Sequence, residues 1–322
     1  MLRGAATRRA ALVTAWAWGL ATLVASPAPP GAAGEARPVA PAAPALAQWF
    51  DERSFAVALA RAGARPAEPM TDPRVVVVPH YWPAGHMIAA ALRDLAATPP
   101  SSRAGIAANL AAAADTPGWR RVVLLGPDHP RAGPRVAYTA SADWATPYGR
   151  VAADRQAVAA LRATGLLVDA PRLMALEHGV AGLLPALARL LPGAAVVPLA
   201  VRSDARQTEV ARLAAAVGAL LEPTTVVVVS ADFAHDVTPR QARINDARSL
   251  RALRSLDTGT VLGFGDAHVD APAALAVGMT VARGSGATRF VLLERGDGSH
   301  LPGYSGGPVT STISGYYGRP GD

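Results

Sequence analysis

Histidines follow three of the most apolar segments of the chain, and an imidazole can bind a metal or move a proton. The segments RVVVVPH, RVVLLGPDH and TVVVVSADFAH end at His80, His129 and His235. Unbroken apolar runs of this kind are typical of strands buried on both faces of a sheet. The carboxyl ends of parallel strands share one edge, where such sheets bind ligands. One histidine there would favour a structural role, whereas three favour a metal or catalytic site.

Acidic residues lie beside these histidines. Asp128 stands next to the second of them, Asp232 lies three residues before the third, and Glu177 precedes another histidine, His178. Metal-bound histidines usually donate their second N–H to a carboxylate or a carbonyl. The two aspartates could equally cap the helices that follow their strands. The sequence leaves both roles open.

The composition excludes several kinds of chemistry. There is no cysteine, and each of the 31 basic residues is arginine. Disulfides, thiolate metal sites, Schiff-base lysines and Walker-A lysines are therefore excluded. The net charge is +7, but only 5% of the residues are aromatic and no run of arginines exceeds a pair. A basic stripe with stacking side chains is the usual sign of nucleic-acid binding, so we expect no nucleic-acid partner.

The N-terminus has the pattern of a targeting segment. Arginines at positions 3, 8 and 9 precede an uncharged apolar stretch over residues 10–25, and an Ala/Pro-rich stretch follows. The sequence predicts a signal peptide or N-terminal anchor over residues 1–28 and a linker over residues 29–48. The apolar stretch is short for a membrane span of about 20 residues, which favours cleavage. We expect an exported, periplasmic or extracytoplasmic protein, with an uncleaved membrane anchor as the alternative and no other membrane contact.

Strand and helix patterns alternate over residues 49–322. The predicted strands are Arg74–Val78, Arg121–Leu125, Ala195–Val201, Thr225–Val229 and Phe290–Leu293. Helical spacing appears over residues 84–97, 183–191, 206–221 and 240–256. This alternation predicts an α/β fold: a single domain with a largely parallel central sheet flanked by helices.

Motifs in a fixed order resemble those of the Memo family, which includes the AmmeMemoRadiSam system protein B group. They are VVPHYWPAGHMIAAAL, RVVLLGPDHPRAG, YTASADWATPYGRVAADRQAVAAL, LEHGVAGLLPALARLLPGAAVVPLAV, VVVSADFAHD and ISGYYG. The resemblance implies a domain similar to class III extradiol dioxygenases, which hold non-haem Fe(II) with two histidines and a carboxylate. Memo-like proteins have a similar pocket, in which two histidines and a cysteine surround iron or copper.

The resemblance implies particular metal ligands. The two histidines match His80 and His129, and the cysteine of the family motif falls on His268. We therefore predict a metal held by these three residues, with Asp266 or Asp270 as alternatives for the third ligand. The implied metal is a divalent transition ion, Fe(II) in the first place and Cu or Zn otherwise, since imidazole is a harder ligand than thiolate.

Two further motif matches imply catalytic residues. Asp232 and His235 match one acid–histidine element, and Glu177 and His178 match another, in which Gly179 replaces a serine. We predict that His235 or His178 acts as a general base and that the acids orient the histidines.

These residues support a metal-dependent oxidoreductase resembling extradiol dioxygenases, with a small-molecule ligand in a His-lined pocket. An exported, non-enzymatic protein that binds metal or a small ligand is the alternative. A metal-free hydrolase or phosphorylase with Ser230 as nucleophile is a third, weaker hypothesis, because no G-x-S-x-G turn surrounds that serine.

Overall fold

Runs of valine and leucine form the strands at the centre of the fold. The computed structural model describes residues 51–64, 67–100, 118–301 and 303–319. Its strands are, in chain order, β1 (Val75–Val78), β2 (Arg121–Pro127), β3 (Ala137–Thr139), β4 (Trp144–Thr146), β5 (Gly149–Val151), β6 (Leu167–Asp169), β7 (Ala195–Val201), β8 (Thr225–Ser230), β9 (Arg289–Asp297) and β10 (Ser311–Gly318).

The main sheet has its parallel strands in the middle. Its strand order is β6-β3-β7-β2-β8-β1-β10-β9, and β4 pairs separately with β5. The four strands β7, β2, β8 and β1 run parallel to one another. Antiparallel pairing appears outside them, where β10 joins β1, β9 joins β10 and β3 joins β7.

Successive side chains of the central strands enter two different hydrophobic cores. In β1, Val75 and Val77 pack on one face, whereas Val76 and Val78 pack on the other. The residues of β8 alternate in the same way. This alternation is the normal period of a strand, and burial on both faces explains why no polar residue interrupts the runs.

Helices cover both faces of the sheet. They are α1 (Glu52–Gly63), α2 (Gly85–Ala96), α3 (Arg155–Ala163), α4 (Pro171–Leu176), α5 (His178–Ala181), α6 (Leu184–Leu190), α7 (Gln207–Gly218), α8 (Pro239–Ser255), α9 (Thr258–Leu262) and α10 (Pro272–Gly284). The core with Val75 includes side chains of α7 and α10, and the core with Val76 includes side chains of α1, α2 and α6. The fold class predicted from the sequence is confirmed, as are the five predicted strands and the four helical stretches.

The sequence did not predict the short strands between residues 137 and 169. Each of β3, β4, β5 and β6 has three residues, which is too few to show a period of two. The predicted parallel character holds for the middle of the sheet, whereas antiparallel pairs occur on both sides of it. On one side β9 and β10 are consecutive strands, and consecutive strands joined without a crossover must pair antiparallel. On the other side β3 pairs antiparallel with β7 but parallel with the edge strand β6.

The predicted signal peptide or anchor (residues 1–28) and the predicted linker (29–48) both fall in the first 50 residues, outside the described part of the chain. Within that part, no helix has both the length and the apolar character needed to cross a bilayer.

Strand register brings the functional segments together. The C-terminal ends of β1, β2 and β8 are neighbours, and Val78 of β1 lies opposite Ser230 of β8.

At the other end of β2, the Nε of Arg121 lies 2.7 Å from Asp154 Oδ2. Asp154 also caps α3 by accepting from the Ala157 amide. Burial alone would raise the pKa of Asp154, but this amide and the Arg121 guanidinium outweigh it and hold the pKa below its usual value.

This ion pair predicts a pH-dependent stability. Replacing Asp154→Asn should lower the free energy of unfolding by about 1 kcal/mol at neutral pH, because asparagine keeps the cap but loses the charge. Since the folded-state pKa is depressed, the carboxylate stabilises the fold fully above its unfolded pKa of about 3.9. The stabilisation is lost as the pH falls through the folded-state value.

Urea unfolding of the wild type and of Asp154→Asn, at pH 7 and at several values below pH 4, measures this difference in the free energy of unfolding. The exposed Asp204→Asn serves as the control, because Asp204 pairs with Arg202 but is 74% exposed, and surface pairs contribute little. If the wild type and Asp154→Asn differed in free energy of unfolding as much in acid as at pH 7, the stabilising role of the Asp154 carboxylate would be contradicted.

Candidate metal centre

His80 is held by backbone contacts immediately after β1. Its side chain is 2% exposed. Asp232 Oδ1 accepts hydrogen bonds from the backbone N–H of His80 at 2.9 Å and from that of Tyr81 at 3.1 Å. Asp232 therefore fixes the loop that carries His80 and does not cap the helix that follows β8.

The contacts of Ser230 determine which nitrogen of His80 is free. The Ser230 hydroxyl donates to the Gly179 carbonyl, and its oxygen lies 3.0 Å from His80 Nδ1. Since the hydroxyl proton is already used, His80 donates from Nδ1, and Nε2 is the nitrogen left for a metal. These contacts also oppose the hydrolase hypothesis, because a buried hydroxyl bonded in this way is not presented to a substrate.

His129 is oriented in the same sense by Glu177. Glu177 is fully buried, and its Oε1 lies 2.6 Å from His129 Nδ1. Its Oε2 accepts from the His129 backbone N–H at 2.8 Å. A carboxylate can only accept here, so Nδ1 carries a proton and Nε2 is the nitrogen that a metal would meet, as in the carboxylate–histidine pairs of metal sites. Glu177 is adjacent to His178 in the chain but pairs with His129.

Close packing at Gly179 makes this pairing possible. The Gly179 amide donates to Glu177 Oε1 at 2.8 Å. A Cβ at this position would lie 2.9 Å from the Pro127 ring and 3.1 Å from Glu177 Oε1. The glycine that replaces the family's serine is therefore required by the packing of α5 against the end of β2.

Asp128 holds the loop after β2 and does not contact an imidazole. Its two carboxylate oxygens accept from the backbone amides of Ala132 at 3.2 Å and Gly133 at 2.9 Å. Of the two roles left open by the sequence, Asp128 thus has a capping role, although it caps a loop and not a helix.

Asp270 supplies the oxygen toward which the histidines converge. Its Oδ2 lies 2.9 Å from His80 Nε2, 3.4 Å from His129 Nε2 and 4.0 Å from His235 Nε2. This oxygen is buried and has no partner with hydrogen-bond geometry in the part of the chain that the structure describes. Two ligand atoms about 2.1 Å from one ion are about 3.0 to 3.4 Å apart. The separations of Asp270 Oδ2 from the two imidazole nitrogens are therefore those expected of ligands on one divalent ion.

The electrostatics of the three residues are coupled. Burial opposes a charged imidazole at His129, but Asp270 and Glu177 outweigh it and raise the His129 pKa to about 10. Burial would raise the pKa of Asp270, yet the neighbouring His80 and His129 hold it below its usual value. A proton on His129 and a metal ion would thus occupy the same negative environment, and metal binding must displace that proton.

The structure does not bring His268 to this centre. Its ring stacks on Phe264, with the centroids 4.6 Å apart and the planes 7° from parallel. The reason is the backbone: the Asp270 N–H donates to the Asp232 carbonyl, and Asp270 Oδ1 accepts from the Asp232 N–H, each at 3.1 Å. These bonds place residue 270 beside the end of β8. Asp266, the other carboxylate alternative, is exposed.

Two more predicted residues line the same cavity. His178 stacks on His129, with the ring centroids 4.1 Å apart. Burial, followed by the neighbouring His129 and His80, lowers the pKa of His178 to about 4. His235 has a buried Nδ1 without a hydrogen-bond partner among the described residues. Both imidazoles therefore line the cavity beside Asp270.

Two possible ligand sets appear among the described residues when ligand atoms within 4.8 Å of one another are grouped. They are His80, His129 and His178, and His80, Asp232 and Asp270. Both contain His80. Neither set is the combination of His80, His129 and Asp270, which takes two histidines from the first set and its carboxylate from the second. We favour this combination because the carboxylate oxygens of Asp232 are partly used by the loop amides, whereas Asp270 Oδ2 has no such contact and lies near both imidazoles.

An open cleft adjoins the centre. A cavity of about 390 Å³ is lined by His129, His178, His235 and Asp270 among others. A second cavity, of about 480 Å³, shares lining residues with the first and extends to Phe264. The cleft is large enough for a small organic molecule, and its polar lining follows from its position at the carboxyl edge of the sheet.

Comparison with known proteins supports the resemblance to the Memo family that the sequence motifs indicate. The sequence profile described as Memo-like protein matches residues 58–309. A MEMO1 family protein of Methanopyrus kandleri is 33% identical over 140 residues, which cover 42% of this chain and 50% of the relative. A MEMO1 family protein of Caldivirga maquilingensis is 25% identical over 189 residues, or 56% of this chain and 67% of the relative. The chain thus aligns with only half the length of the first of these relatives.

The profile covers more than half of the chain. The chain belongs to the Memo-like family.

Proposed function

We propose that this protein binds Fe(II) through His80, His129 and Asp270 and uses it in an oxidoreductase reaction resembling that of extradiol dioxygenases. The observation that carries the proposal is the buried Asp270 Oδ2, which lacks a partner with hydrogen-bond geometry in the described chain and lies 2.9 and 3.4 Å from Nε2 of His80 and His129. Such an atom is costly to bury unless a cation or donor meets it.

The donor set supports iron over the other candidate metals. Two imidazoles and one carboxylate with open positions are the ligands of non-haem Fe(II) oxygenases. Zinc binds the same donors, and Cu(II) accepts imidazole, so both stay as alternatives. Cu(I) fits least, because the chain has no cysteine and soft ligands select that ion.

An iron ion held in this way supplies the electron-transfer chemistry that lets O₂ react with an organic substrate. In ring cleavage both atoms of O₂ enter the product and the substrate supplies the electrons, so no external reductant is required. The protein's own contribution is geometric and acid–base. Glu177 and Ser230 hold the imidazole tautomers, and His235 or His178 accepts a proton from a hydroxyl group of the substrate.

The cleft favours an enzyme over a non-enzymatic binder, because it leaves one side of the centre open to a ligand. The N-terminal sequence pattern supports a location outside the cytoplasm for this activity. The non-enzymatic alternative predicts bound metal without turnover, and the experiments below separate the two.

Metal content should depend on Asp270 and not on His268. His80→Ala, His129→Ala and Asp270→Ala should each lower the affinity for Fe(II) at least tenfold, because each removes a ligand. His268→Ala should bind Fe(II) like the wild type, since His268 contacts Phe264. Metal analysis and Fe(II) titration of the purified variants give the result, with a thermal unfolding midpoint as the check on folding. Loss of metal in His268→Ala with retention in Asp270→Ala would refute the proposed ligand set.

Glu177 should act through His129. Glu177→Gln should weaken Fe(II) binding about 10- to 100-fold, because a neutral amide holds the Nδ1–H less firmly and lowers the basicity of Nε2. Glu294→Gln is a matched control, since Glu294 also contacts an imidazole, that of His86, at 3.1 Å and away from the centre. Equal metal affinity in the two variants would show that Glu177 has no orienting role.

Turnover should depend on His235 while metal binding does not. Fe(II)-loaded protein should consume O₂ in the presence of catechols, and His235→Ala should reduce the rate about 10²- to 10⁴-fold, the range for a general base. An oxygen electrode and spectra of ring-opened products measure this, with His86→Ala as the control. A fully metal-loaded wild type that consumes no O₂ with a panel of catechols would support the non-enzymatic alternative.

A further inference from the structure

Helix α8 presents one exposed face that is rich in arginine. Five arginines occur in its 17 residues, and all five are exposed. They are Arg240, Arg243, Arg248, Arg251 and Arg254. At about 100° per residue they occupy about 140° of the helix circumference. The opposite side is buried, through residues that include Ala242, Ser249 and Leu253. We call the exposed side the arginine face.

The charge of the arginine face is not neutralised within the described part of the protein. Asp246 is the acidic residue of α8, but it is buried on the other side and pairs with Arg295 at 2.6 Å. Arg248 lies over the Phe264 ring, 5.4 Å from its centroid. The other four guanidinium groups have neither an ion-pair nor a hydrogen-bond partner among the described residues. Four neighbouring guanidinium groups without partners create a strong positive electrostatic potential at this surface.

An apolar side chain lies within this field. Ile244 is 54% exposed, and its direction on the helix falls between those of Arg243 and Arg248. Isoleucine gains nothing from exposure to water on a charged surface. A partner that offers anionic groups with apolar material just beneath them would bury Ile244 and neutralise the arginines together.

We propose that the arginine face docks on a phospholipid bilayer rich in anionic headgroups. Clusters of four to eight basic residues on a helix bind such surfaces, and the headgroup–acyl boundary takes up apolar side chains from a helix that lies along it. From Arg240 to Arg254 the face extends about 21 Å, so several headgroups lie within its reach. This contact is additional to the N-terminal segment, which the sequence alone connects with a membrane.

A nucleic acid fits the face less well. Single strands bind through aromatic side chains that stack on the bases, and the exposed side of α8 carries none. A duplex backbone would neutralise the arginines but offers Ile244 no apolar contact. The bilayer therefore accounts for both features of the face, whereas a polyanion accounts for one.

Lipid titration of the full-length protein tests the proposal. Partition onto phosphatidylcholine vesicles with about 30% phosphatidylglycerol should exceed partition onto pure phosphatidylcholine. The variant R243Q/R251Q/R254Q should bind the anionic vesicles about a hundredfold more weakly, given the contribution of each basic residue near a charged surface. Ile244→Ala should weaken the same binding about fivefold, since it removes partly buried apolar surface. All proteins carry the same N-terminal segment, so its contribution cancels in these comparisons.

The matched control is R172Q/R212Q/R289Q, which removes three exposed arginines from separate places in the fold. It has the same net charge as the α8 variant and should bind within threefold of the wild type. Equal binding by the two triple variants, or equal partition of the wild type onto neutral and anionic vesicles, would overturn the proposal. So would a duplex oligonucleotide whose binding depends on the three α8 arginines while vesicle binding does not. Thermal midpoints confirm that each variant is folded.

Discussion

The buried carboxylate of Asp270 is the constraint around which the site is organised. A lone ionised carboxylate is too costly to bury, and this one lies within 3.4 Å of imidazole nitrogens from two different strand ends. The loop after β1, the loop after β2 and the segment before α10 must therefore meet at one point. Backbone hydrogen bonds between Asp270 and Asp232 hold the carboxylate there independently of the histidines.

Three other groups orient the imidazoles of His80 and His129 toward Asp270 Oδ2. Glu177 and Ser230 each occupy the Nδ1 side of a histidine, which leaves Nε2 directed inward. Asp232 holds the loop that carries His80. All three groups are buried. Ser230 and Glu177 are connected through Gly179, whose carbonyl accepts from Ser230 and whose amide donates to Glu177. The ligands are thus positioned by contacts that do not depend on the metal, as a preorganised site requires.

Much of this arrangement was predictable from the sequence, and the failures have a physical cause. The valine-rich runs identified the strands, and their ends located His80, His129 and His235 at one edge. The pairing of Glu177 with His129 was not predictable, because 48 residues separate them and no periodic pattern connects them. His268 was favoured over Asp270 from motif position alone. The choice between them depends on backbone hydrogen bonds to Asp232, which a linear pattern does not contain. Likewise, the arginines of α8 are dispersed in the sequence and become neighbours only on the helix.

The alternation of the central strands has a consequence for how this site tolerates change. Ser230 and His80 have the same parity as Val228 and Val78, and they face the same side of the sheet because the register sets Val78 opposite Ser230. The side chains of His80 and Ser230 therefore continue the alternation of β1 and β8. A one-residue insertion within β8 would turn Ser230 to the opposite core while leaving the strand's hydrophobicity almost intact. The number of residues in these strands must therefore stay constant for the centre to form, whereas the loops between the far ends of the sheet are free to vary in length.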